Sequence, residues 1–88
     1  MENKYQTQKI VLDGIWYDEL INAIEKNTDN VQIIPDESSK KAILDRNQRI
    51  LDKLNKYKKV DKDNSVYYYF YMRELRDLFW ILLENNIN

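Results

Sequence analysis

One glycine, Gly14, and one proline, Pro35, are all the backbone breakers that these 88 residues contain. Tight hairpins lean on glycine or Asn-Gly steps, and proline is the usual interruption of a helix. A chain with one of each has few inexpensive reversals and few forced helix ends. Long helices joined by polar linkers are therefore the favoured reading, and apolar periodicity places three of them.

Residues 15–26, IWYDELINAIEK, put Trp16, Tyr17, Leu20, Ile21, Ala23 and Ile24 on one side of a helical wheel and Asp18, Glu19, Asn22, Glu25 and Lys26 on the other. Asp13 is a suitable cap, so the first helix is expected over 13–26, ending in the polar NTDN of 27–30. VQIIP at 31–35 reads as extended, because the residue before a proline is pushed out of the helical region. Residues 37–59 repeat Ile43, Ile50 and Tyr57 at seven-residue spacing, with Leu44, Leu51 and Leu54 widening the stripe and Asn47 inside it. Asp36 or Ser38 caps that helix. After the linker VDKDNS, a third helix is expected over 65–86, capped by Asn64 or Ser65.

The fold class expected is all-α: a compact three-helix domain spanning residues 1–88, with a short extended N-terminal arm. The alternative is a small α+β fold with strands at 9–12, 31–34 and 66–71, since Val, Tyr and Phe favour sheets. It ranks second because no turn residue separates VYYYFYM from the plainly helical RELRDLFWILLEN. A chain this short buries only roughly 60–65% of its unfolded surface, so its stability is modest.

Composition narrows the chemistry. The chain has no histidine and no cysteine, which removes the commonest general base, nucleophile and soft metal ligands. One glycine cannot build a glycine-rich phosphate cradle. Asp61, Asp63 and Ser65 echo the opening of a calcium loop, but Val66 stands where its glycine belongs and Met72 where its bidentate glutamate belongs. No cofactor or metal is expected, and the chain reads as non-enzymatic. The longest apolar run, Leu78 to Leu83, is far short of the ~20 residues that cross a bilayer. With no secretion signal at the N-terminus, a cytoplasmic protein is expected. Asn, Lys, Ile and Tyr supply 37 of the 88 residues, a usage typical of AT-rich coding sequences such as those of low-GC bacteria and their phages.

Charge is unevenly distributed although the net value is −1: residues 1–36 carry −4, residues 37–62 carry +5, and residues 63–88 carry −2. The basic segment 37–62 offers Lys40, Lys41, Arg46, Arg49, Lys53 and Lys56 as candidate phosphate contacts. Asp45 and Asp52 interrupt that row, and pairing with the acidic first helix is the simpler explanation. The aromatic segment is harder to absorb. Read as one helix, its core face takes Tyr68, Tyr71, Met72, Leu75, Leu78, Phe79, Leu82 and Leu83. Tyr69, Phe70, Arg73, Arg76, Trp80 and Ile81 are left on the side expected to be wet. Tyr, Trp and Arg dominate interface hot spots, because they bury a large area and keep a polar handle. These six residues are therefore the candidate partner-binding surface. Three coverings compete for it: another protein, a second copy of the chain, or the arm through Ile10, Val11 and Leu12. The expected function is protein–protein docking, as a small inhibitor or regulator of phage or mobile-element type. The alternative is nucleic-acid binding through the basic helix.

Overall fold

The computed structural model describes residues 6–86. Along the chain run β1 (Thr7–Val11), α1 (Ile15–Asn30), a 3-10 turn at Val31–Ile33, α2 (Glu37–Lys56), β2 (Lys59–Val60), β3 (Val66–Tyr71) and α3 (Met72–Asn85). The architecture is mixed α+β, so the all-α expectation holds only for its three helices. β3 is the middle strand of an antiparallel sheet ordered β1-β3-β2. Its register pairs Thr7 with Tyr71 and Val11 with Tyr67 on one edge, and Lys59 with Tyr67 on the other.

The expected helix over 65–86 is corrected: its first third is a strand. Five residues of β1 supply a ladder partner that no local pattern reveals, and the β-favouring tyrosines take it. The change from strand to helix at Tyr71–Met72 needs no turn residue. Glu74 reaches back so that its Oε1 accepts from the Tyr71 N–H at 2.8 Å, which serves one of the free donors at the helix start. The alternative reading located 66–71 and most of 9–12. It erred at 31–34, where α1 runs on through Asn30 into the 3-10 turn. Two-residue β2 was not foreseen. Its hairpin closes through Asp61 N–H to Ser65 O (2.9 Å) and Asn64 N–H to Asp61 O (3.0 Å), with Asn64 in the left-handed region at φ 69°.

Side chains alternate along β3. Tyr68 and Phe70 are fully buried, Tyr69 is exposed, and Tyr67 and Tyr71 are intermediate. All three helices lie on the Tyr68/Phe70 side, where Ile24 of α1, Ile50 and Leu54 of α2 and Ile81 of α3 complete the core. Ile10 and Leu12 of the arm pack against it. Burying side chains of this size contributes roughly 1.5–3 kcal/mol each. The Tyr68 hydroxyl donates to the Leu54 carbonyl at 2.6 Å, satisfying an acceptor in the last turn of α2. At the other end of α2, Asp36 is the cap, as expected: its carboxylate accepts from Ser38 N–H and from the Ser39 hydroxyl (2.6 Å), which hold its pKa below the usual value. Asp13 does not cap α1. Gly14 occupies the cap position at φ 53°, ψ −121°, and it is the Asp13 carbonyl that accepts from Trp16 N–H.

Candidate functional site

Within α3, Leu75, Leu78 and Ile81 pack against the core, and Glu74 and Asn85 share that side of the helix. Both polar residues find partners inside. Glu74 pairs with Lys53 at 3.2 Å, and Asn85 Nδ2 donates to the Ala23 carbonyl at 2.8 Å. Beside them Glu84 pairs with Arg46 at 3.0 Å. Because the inward stripe spends positions on these groups, large apolar residues are left outside. Met72, Phe79, Trp80, Leu82 and Leu83 are 53%, 61%, 47%, 47% and 38% exposed, and Arg73 and Arg76 lie among them. Of the three carboxylates of α3, Glu74 and Glu84 are thus paired to α2, Asp77 is half-buried without an ion pair among the described residues, and both arginines are outside.

This geometry sorts the six expected partner-binding residues. Arg73, Arg76 and Trp80 are on the outer face of α3, as expected. Tyr69 is exposed but belongs to the open face of the sheet. Phe70 and Ile81 are corrected: both are fully buried. Phe70 lies inside because a strand steps 180° per residue where the helical wheel steps 100°. Ile81 lies inside because the more apolar side of the helical wheel is not the core side of α3. Met72, Phe79, Leu82 and Leu83 were missed as outer residues for the same reason. A sequence signal existed, in that Glu74, Glu84 and Asn85 cluster on one side and require partners if that side turns inward. Of the described part of the arm, Thr7–Val11 pairs edge to edge with β3, and only Gln6, Thr7 and Gln8 come beside Met72 at the start of this face.

The six basic residues of the alternative do not form one surface. Arg46, with its side chain only 11% exposed, is an internal strut. Its two terminal nitrogens donate to both Glu84 oxygens (3.1 and 3.0 Å), and it also donates to Asn27 Oδ1 (3.0 Å) and Asn47 Oδ1 (3.0 and 3.1 Å). Asn47 Nδ2 closes the ring onto Asn27 Oδ1 at 2.9 Å. The guanidinium holds the Glu84 carboxyl below the ordinary glutamate range, so it stays an anion rather than a proton donor near neutrality. Lys53 is held by Glu74, with Tyr71, Tyr57 and Phe70 ring centres 5.2–5.8 Å from its ammonium. Lys41 pairs with Asp45 on the surface, and Lys40 is half-buried. Arg49 and Lys56 are exposed.

Among the described residues, no cluster of three or more acidic side chains could hold a metal ion, and every buried side-chain nitrogen and oxygen has a hydrogen-bond partner. A mostly apolar hollow of about 580 Å³ lies where α1 turns into α2, lined by Val31, Ile33, Ile34 and Ile43 with Asn27 and Glu84 at its edge. No described helix is long and apolar enough to cross a membrane. Comparison of the chain with protein-family models, with curated proteins and with solved structures returns no match.

Proposed function

We propose that this chain is a non-enzymatic docking module. It seats the outer face of α3 in an apolar groove of another protein, and so acts as a small inhibitor or regulator in a phage or mobile-element setting. The observation that carries the reading is the contiguous outer stripe of Met72, Phe79, Trp80 and Leu83, at least 38% exposed throughout, on a helix two of whose three carboxylates, Glu74 and Glu84, are paired to α2. Apolar residues grouped on one side of a helix at this exposure mark interaction sites rather than ordinary surface. Arg73 and Arg76, without ion-pair partners among the described residues, favour a groove with carboxylates on its rim.

The test compares capture from host lysate by wild type, by Phe79→Ala/Trp80→Ala and by Tyr69→Ala. The specific partner should be retained by Tyr69→Ala and lost by the double variant. Truncating two aromatic hot spots costs about 2 kcal/mol or more each, so affinity should drop by roughly 10³-fold. A folded double variant that keeps every partner refutes the assignment.

A further inference from the structure

The open face of the sheet is a second surface, distinct from the outer face of α3. Tyr67, Tyr69 and Tyr71 stand on it at every other position of the central strand, so their side chains emerge about 6.6–6.8 Å apart. The register places Lys9 beside Tyr69 and Lys59 beside Tyr67 on the same face. The Lys9 ammonium already lies 4.4 Å from the Tyr67 ring centre, and Tyr67 and Tyr69 meet edge to face at 5.7 Å. Where this face meets α2, Tyr69, Tyr71 and Tyr57 share a cleft of about 530 Å³ with Arg49, Lys53 and Lys56.

Charge in and around the cleft is mostly cancelled, and the remainder is positive. Lys53 pairs with Glu74, and Lys9 with Asp61 at 3.6 Å. Asp52 on the cleft wall is hydrogen-bonded by Gln48 but has no ion-pair partner among the described residues, so it offsets one of the cations there. Arg49, Lys56 and Lys59 carry no ion-pair partner among the described residues. Flat rings at extended-chain spacing, bordered by unpaired cations, are what an unstacked polynucleotide requires: a π-face for each base and a counter-charge for the phosphates between them. A duplex presents no free base faces to these rings.

We propose that the tyrosine face of the sheet binds single-stranded nucleic acid, with bases stacking on Tyr69 and Tyr71 and phosphates meeting Arg49, Lys56 and Lys59. The test is fluorescence anisotropy with labelled ten-nucleotide oligothymidylate and oligouridylate against a 20-base-pair duplex, in 50 and 200 mM salt. Three phosphate contacts give a salt slope near −2, so affinity should weaken about 20-fold between the two conditions. Tyr69→Ala should weaken binding by roughly 5- to 150-fold, the range for loss of one stacked base. Arg49→Glu/Lys56→Glu, two exposed changes on α2, should remove most of the salt dependence. Phe79→Ala/Trp80→Ala should bind like wild type, which keeps this site distinguishable from the α3 face. The assignment is overturned if single strands do not bind at 50 mM salt, if the duplex or polyglutamate competes equally, if folded Tyr69→Ala is unimpaired, or if the α3 variant abolishes binding.

Discussion

Replacing Arg46 by methionine tests how the three helices are fastened together. The methionine keeps the stem and removes every donor. Asn47 Oδ1 then loses both of its donors, which come from Arg46 alone, and Asn47 is 1% exposed. Glu84 Oε2 loses its donor as well, although the Glu84 side chain is 31% exposed and water can reach it. Asn27 Oδ1 keeps its bond from Asn47. One sealed orphan and one half-wet orphan, at about 1–3 kcal/mol for a buried unsatisfied group, put the loss near 3 kcal/mol. Against roughly 4–13 kcal/mol for a domain of this size, that is about a quarter or more of the stability, and about 12–24 °C in Tm. Urea unfolding followed by circular dichroism measures it, and the midpoint should fall with an unchanged m value. A loss below about 1 kcal/mol would show that water replaces the guanidinium and that the ring is not closed to solvent. The same ring predicts a pH dependence. Arg46 lowers the Glu84 pKa in the folded protein from its ordinary 4.5, so the carboxylate's contribution is complete above about pH 4.5 and is lost as pH falls through the lower folded-state value. Wild type should therefore exceed Glu84→Gln in stability at neutral pH, and the gap should close in acid.

Tyr68→Phe removes the hydroxyl that serves the Leu54 carbonyl and should cost about 1–2 kcal/mol in the same urea assay, with the fold intact. Ile81→Ala should cost about 2–5 kcal/mol, whereas Leu82→Ala, at a position 47% exposed, should cost far less; equal losses would mean that the phase of α3 is wrong. Gly14→Ala meets no atom within 4 Å yet imposes a side chain on φ 53°, ψ −121°, so a loss of about 1–2 kcal/mol from backbone strain alone is expected.

The parts of the fold legible in the sequence were those settled within a few residues. Asp36 capping α2, the Ile50 and Leu54 stripe, and Ile24 on the buried side of α1 all follow from local spacing and cap chemistry. What escaped was set across the chain. Whether Val66–Tyr71 is strand or helix depends on Thr7–Val11, some sixty residues earlier, since an unpaired tyrosine run is compatible with either. NTDN looked like a helix terminator, yet α1 continues through it, because Asn27 and Thr28 turn their side chains to Asn47 and Asn27 also bonds Glu84 and Asn85. Half of the candidate surface was legible for the same reason: Arg73, Arg76 and Trp80 are exposed whichever way the neighbouring strand is read. Phe70 and Ile81 depended on the strand and on the phase of α3.

The phase of α3 bears on the proposed docking. Rotated by half a turn, the helix would bury Met72, Phe79, Trp80 and Leu83 and expose Glu74, Leu78, Ile81 and Asn85, so apolar burial alone does not select the observed phase. Three specific bonds oppose it: Lys53 to Glu74, Arg46 to Glu84, and Asn85 to the Ala23 carbonyl. Each joins α3 to a different helix or to a different point along one, so rotation would strand Arg46 and Lys53 as unpaired, largely buried cations at a cost of several kcal/mol. The internal ion pairs therefore act less as net stabilisers than as a register lock. They hold the more apolar side of the helix in solvent, which is the arrangement that docking on a partner through α3 requires.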